Sequence, residues 1–243
     1  MIRWELKKLL KPTWMFIVLG LVTAIWIAMM YFASASGEQR IVGRFFSYWS
    51  VIGSLTFGGI ILFVSTKLFS LDSEERIKEV VLSTKHGKRR LLGIRFCTII
   101  IFTVIVFSLL TVIQVTGLML FADNGYTVFK ETYFLQLLTV FIGSQLFAIF
   151  AACLCILLSS HAATVTLCAL LFGFTYIYRS NYGAEQLSTF SFSDLLDKGF
   201  FSYLMRADFI SNISLSSFSI WYGLLMAMTI GLMLTIQSRR HEL

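Results

Sequence analysis

Residues Phe96 to Ala122 read FCTIIIFTVIVFSLLTVIQVTGLMLFA and contain no Asp, Glu, Lys or Arg. As a helix this run would extend about 40 Å, more than the roughly 30 Å of hydrocarbon in a bilayer, so it is expected to cross a membrane. Five further runs lack formal charge: Pro12 to Ser36, Phe45 to Thr66, Thr132 to Ser160, Ala162 to Tyr178 and Phe209 to Ser238. The fifth run in order is long enough once His161 and the preceding serines join its first turn. The expectation is an all-α integral membrane protein of six transmembrane helices, at about residues 13–35, 45–67, 96–121, 133–158, 161–178 and 215–237, forming one domain over 1–243. Hydrophobic residues make up 57% of the chain and charged residues 14%, against about 45–50% and about 25% in soluble domains. That shortage of charge makes lipid the natural surrounding medium.

The basic residues orient the chain. Of 20 Lys and Arg, 14 fall in the N-terminal tail (Arg3, Lys7, Lys8, Lys11), the second gap (Lys67, Arg76, Lys78, Lys85, Lys88, Arg89, Arg90, Arg95) and the C-terminal tail (Arg239, Arg240). The other 6 (Arg40, Arg44, Lys130, Arg179, Lys198, Arg206) lie in the first, third and fifth gaps. Lys and Arg are retained on the cytoplasmic side, so both termini and the second gap are expected in the cytoplasm. The net charge of +7 belongs to span ends, which argues against a nucleic-acid partner.

Residues Ile2 to Lys11 fit a short interfacial amphipathic helix, with Ile2, Leu6, Leu9 and Leu10 opposite Arg3, Lys7, Lys8 and Lys11, and Pro12 gives a bend before the first span. The first apolar run is too long for the core of a signal peptide and reads as the first span. The gaps Gly37 to Arg44 and Asp123 to Glu131 are short and read as outside turns. Residues Arg179 to Ser217 are different, because Phe190, Phe192, Leu195, Leu196, Phe200, Phe201, Tyr203 and Leu204 make the loop apolar; interfacial or re-entrant helices over the outer mouth are expected. Gly223, Ala227 and Gly231 on the last span, and Ser144, Ala148 and Ala152 on the fourth, are small residues at four-residue spacing that suit helix packing or a dimer interface.

Little in the chain could carry chemistry. Phosphate-binding P-loop, HExxH, GxSxG and dinucleotide glycine patterns are all absent, and Glu74-Glu75 lacks the arginine that an EExxxR protease motif needs, Glu79 standing there instead. The chain therefore reads as no enzyme and as carrying no cofactor or metal of its own. Cys97, Cys153, Cys155 and Cys168 fall inside spans and read as buried small hydrophobes. His161 reads as a turn residue between the fourth and fifth spans. Gln114 and Gln145 are the most polar groups well inside spans and are expected to hydrogen-bond between helices. Transporters coupled to ions and pumps place charges within spans; this chain places none mid-span, so a driving force has to come from a partner.

The second gap is the most informative polar segment, LFSLDSEERIKEVVLSTKHGKRRLLGIRF from Leu68 to Phe96. Asp72 can cap a helix there with Glu75 three positions on, Glu74 and Lys78 pair at i and i+4, Ile77, Val80 and Val81 form an apolar side, and Gly87 can end it. From Asp72 to Glu79 four acids face two bases, a balance that anionic lipid repels and a protein partner fits.

In these residues the chain resembles the membrane permeases of ABC type-2 exporters. Glu75 stands for that family's acid after the second span, Leu82-Ser83-Thr84 for its central cluster, Arg89 or Arg90 for the following base and Arg95 for the base opening the third span, while Lys85-His86-Gly87 replaces the usual proline. The motif covers about 25 residues and the topology the whole chain. The resemblance implies a coupling helix bearing Asp72, Glu74, Glu75, Lys78, Glu79 and Arg89 that docks on a separate ABC ATPase, present in two copies and holding ATP and Mg. It also implies a second permease, identical or a sister chain, and hydrophobic or amphipathic cargo such as a peptide, exported or handled for immunity. A membrane scaffold or sensor recruiting a soluble regulator fits the same topology.

The charge split predicts that cysteines introduced as Ser73→Cys and Ser238→Cys resist an impermeant thiol reagent in intact cells, whereas Ser191→Cys reacts. Labelling of Ser73→Cys from outside contradicts the orientation.

Overall fold

The computed structural model describes residues 6, 9, 13–35, 37–49, 56–74, 87–122, 129, 131–158, 160–168, 223, 227 and 229–231. Among them the chain is almost wholly helical and contains no strand. Five helices carry the fold: α1 Thr13–Ser34, α2 Glu38–Tyr48, α3 Gly58–Glu74, α4 Gly87–Phe121 and α5 Glu131–Leu158. Residues 161–168 begin a further helical stretch.

Three segments are long and apolar enough to cross a membrane: Thr13–Ser34, Leu91–Phe121 and Val140–Leu158. Gly58–Phe69 is apolar but shorter. The expected count of six is thus met by three among the described residues. The second expected span is divided between α2 and α3, and most of the fifth and sixth lies outside the described residues.

Helix α1 shows how an apolar helix chooses its protein side. Its buried residues, Met15, Leu19, Val22, Trp26, Met30 and Ala33, recur every three or four positions and form one stripe. The rest of its surface is also apolar and open: Phe16, Ile17, Leu21, Ile25, Tyr31 and Phe32 are all more than half exposed. An exposed apolar surface of that extent needs a non-aqueous cover, and three helices of spanning length fit a transmembrane protein.

Ring contacts fix the direction of each helix. Trp26 meets Tyr48 (4.6 Å between ring centres), Trp14 meets Phe63 (5.0 Å), and so α2 and α3 run against α1. Phe57 near Phe107 (6.2 Å) and Phe69 near Phe96 (5.2 Å) set α4 antiparallel to α3. Phe107 against Phe141 (5.4 Å) and Gln114 against Tyr133 (3.4 Å) together set α5 antiparallel to α4. The chain therefore runs up and down through the bundle. One end gathers Trp14, Phe63, Phe69 and Phe96; the other gathers Tyr31 with Phe121 (6.4 Å) and Phe45 with Phe129 (6.3 Å).

Several local expectations are corrected. Gly37 to Arg44 is not a turn: Gly37 takes a positive φ of 104°, which glycine tolerates, and a helix starts at once at Glu38. Ile41, Phe45 and Tyr48 then fall on one buried stripe, with Arg40 and Arg44 exposed, so burial of an amphipathic face overrides the charge that had suggested a loop. Asp72 opens no new helix, since α3 continues unbroken from Gly58 to Glu74. Gly87 is the first residue of α4, and the residues before it lie outside the described residues. The third span is accordingly preceded by helical turns carrying Lys88, Arg89 and Arg90. At the N-terminus, Leu6 and Leu9 are helical and pack on the core, Leu9 buried; the basic residues of that segment lie outside the described residues.

Helices α3 and α5 approach through small side chains, and the expected line Ser144, Ala148 and Ala152 is wholly buried. A closer approach occurs between α1 and α4. A Cβ added at Gly117 would collide with the Trp26 indole, meeting Nε1 at less than van der Waals separation and Cδ1 at 2.9 Å. Trp26 is fully buried and has no room to withdraw. Gly117→Ala is expected to lower thermal stability in detergent, by about 1–3 kcal/mol as for other overpacked sites. Gly93→Ala, where an added Cβ meets nothing within 4 Å, should leave stability unchanged or raise it slightly through helix propensity.

Candidate functional site

The proposed contacts with an ATPase are only partly described. Asp72 and Glu74 belong to the last turn of α3 and Arg89 to the first turn of α4; Glu75, Lys78 and Glu79 lie outside the described residues, as does the cluster Leu82-Ser83-Thr84. Phe69 and Phe96 nevertheless bring these two helix ends together. The charged segment 75–86 thus begins and ends at neighbouring points on one end of the bundle.

That end has its own polar and aromatic cluster. Phe63 receives the edge contact of Trp14 and of His161 (5.5 Å), and the Lys67 ammonium lies 5.7 Å from its ring centre. A cation over a ring face is attracted by about 0.5–1 kcal/mol where exposed. Cys155 Sγ donates to the Thr66 carbonyl (3.3 Å), tying α5 to α3. The Ser160 hydroxyl accepts from the Ala163 amide (3.3 Å), so a serine opens the helix after α5. His161 accordingly sits beside the turn after α5, at the same end as Lys67 and the start of α1.

The cysteines divide. Cys153, Cys155 and Cys168 are free and buried, as expected of small apolar side chains, but Cys97 is free and exposed on the outer surface of α4. Charge pattern makes α4 a candidate span; it does not say which way Cys97 faces. Gly223, Ala227 and Gly231 are helical and exposed, and the two glycines have nothing within 4 Å of a built Cβ. Their small-residue line faces away from the rest of the chain.

The two glutamines also divide. Gln114 is fully buried; its Nε2 donates to the Phe45 carbonyl (3.0 Å) and its Oε1 accepts from the Tyr133 hydroxyl (3.4 Å). Gln114 thus joins α2, α4 and α5 through one carboxamide. Gln145 does not bond between helices: both amide atoms are shut off from solvent without a hydrogen-bond partner among the described residues. Three aromatic donors, Trp26 Nε1, Trp49 Nε1 and Tyr48 Oη, are likewise buried and unpartnered, with Trp49 stacked on Phe107 (5.5 Å, 18° between planes).

No family model matches the chain, and neither a curated protein nor a solved structure matches it. Function therefore has to be argued from the residues.

Gln114→Leu removes both the bond to the Phe45 carbonyl and the acceptor of the Tyr133 hydroxyl, and should cost about 1–3 kcal/mol. Tyr133→Phe removes only the longer bond and should cost less. Thermal melts of the two variants in the same detergent check this order; equal stability of Gln114→Leu and wild type contradicts it.

Proposed function

We propose that the chain is the permease subunit of an ATP-driven ABC type-2 exporter, a bundle of six spans that moves hydrophobic or amphipathic cargo, peptide or lipid-like, across the cytoplasmic membrane. The observation that carries this reading is the packing of Phe69 against Phe96. It draws the C-terminal part of α3 and the N-terminal part of α4 together at one end of the bundle, and the acidic run from Asp72 and the bases from Lys88 to Arg95 fall at this junction in sequence. The same end carries Lys67 and His161, and the sequence places the basic N-terminal tail just before α1. Basic residues gathered at one end support a cytoplasmic position for it.

In this reading the segment from Asp72 to about Thr84 is the coupling element. It docks on a separate ABC ATPase of two copies, which holds the ATP and Mg that this chain has no motif to bind. Two permeases, identical or sister chains, enclose the path, and the exposed line Gly223, Ala227 and Gly231 supplies a surface on which a second helix can approach closely. Closure of the ATPases on ATP shifts the permeases between inward-facing and outward-facing populations. A transmembrane path without charge suits apolar cargo, which crosses without the desolvation that an ion would require.

Glu75→Lys tests the coupling contact. The variant should insert normally, because the loop gains a positive charge on the side where positive charge is retained. Recovery of a Walker-motif ATPase with it should fall and transport should fail, since a like charge now opposes the base that Glu75 meets; a buried charge contact is worth about 2–5 kcal/mol when one partner is lost. Unchanged recovery and unchanged transport contradict the reading and favour a scaffold that recruits some other protein.

A further inference from the structure

Threonines inside apolar helices normally turn their hydroxyl back onto their own backbone. Thr23, Thr66, Thr98, Thr111 and Thr164 all do so, donating to the carbonyl four residues earlier at 2.7 to 2.9 Å. Thr103 does not. It is fully buried in α4, yet its Oγ1 has no hydrogen-bond partner among the described residues, so the hydroxyl does not make the bond that its own helix offers.

The helix register says what stands opposite. Phe107 of α4 touches Phe141 of α5, and the two helices are antiparallel. Thr103 is one turn before Phe107 and Gln145 one turn after Phe141, on the same stripe of each helix. The same stripe joins Gln114 to Tyr133 on the other side of the phenylalanine pair. Thr103 and Gln145 therefore share one layer of the α4–α5 seam, and the Gln145 amide, Oε1 and Nε2 both, is buried and unpartnered as well. An amide that could bond a hydroxyl across the seam, and a hydroxyl that could bond its own helix, do neither. Such groups are costly in an apolar interior, more so within a bilayer.

We propose that the Thr103–Gln145 layer is a binding site for a neutral secondary amide carried on an apolar body, the group found in a peptide backbone and in amide-linked lipids. The carboxamide of Gln145 presents a donor and an acceptor side by side, which matches the acceptor and donor of one secondary amide. Thr103 adds a hydroxyl that can donate or accept. No charge is offered, so the site selects against ions and in favour of groups that are polar yet neutral. Phe107 and Phe141 supply an apolar wall one turn away. The site concerns binding and stands whether or not the chain works with an ATPase.

The full chain in phosphatidylcholine nanodiscs is titrated calorimetrically with N-acetyl-trileucine amide, with the analogue in which one internal amide N–H is replaced by an ester oxygen, and with an N-acylsphingosine. Saturable binding of the peptide, of the N-acylsphingosine or of both supports the site and identifies its source. For the peptide, the ester should bind about tenfold more weakly, since it strands Oε1 of Gln145. The pair Thr103→Val with Gln145→Leu should weaken the amide about tenfold or more, while Thr111→Val, whose hydroxyl serves its own helix, should not. Absence of saturable binding by either amide, or equal affinity in the double variant, overturns the proposal. Melting without ligand guards against misfolding. Gln145→Leu removes a stranded polar group and should raise the melting temperature; a lowered one would show that the amide is already bonded in the empty protein and would also overturn it.

Discussion

Within an apolar bundle a polar group can be satisfied only by protein, and this constraint accounts for most of the hydrogen bonds seen here. Helices dispose of the backbone. Threonine and serine side chains turn back on their own helices, as Thr23, Thr98 and Thr111 do. Between helices, Gln114 of α4 donates to the Phe45 carbonyl of α2 while accepting from the Tyr133 hydroxyl of α5. One buried carboxamide thus decides how three helices meet.

Aromatic rings provide the rest of the registration. Trp26, Tyr48, Trp49, Phe107 and Phe141 touch in sequence across α1, the end of α2, α4 and α5. Ring pairs add about 0.5–1.5 kcal/mol each beyond the area they bury, but here their greater importance is steric. Trp26 occupies the space left by the missing side chain of Gly117, which permits α1 and α4 to run alongside each other. Where lipid offers no hydrophobic drive between helices, such shape fitting determines the packing.

The sequence made the apolar helices legible because absence of charge over a membrane's thickness has few other meanings. It did not reveal their facing. Helices apolar all round carry no periodic signal, so nothing distinguished exposed Cys97 from buried Cys153, or bonded Gln114 from unbonded Gln145. Charge misled at Gly37 to Arg44, where the stripe Ile41, Phe45 and Tyr48 was the stronger signal. A local capping rule also failed at Asp72, which suits a helix start in isolation, yet α3 runs past it. Turn residues bias a boundary; continuation of an already formed helix can override them. Thr103 carries no distinguishing mark in sequence, since burial and hydrogen bonding set it apart only in the fold.

The proposed function needs a partner, because in that reading ATP is held by a separate subunit that meets the charged segment between α3 and α4. Native mass spectrometry of the complex released from membranes tests this most directly. The account predicts an assembly of two permease chains with two copies of an ATP-binding subunit, which dissociates into permease and ATPase. An assembly in which this chain occurs alone, or with a soluble protein that binds no nucleotide, would contradict it.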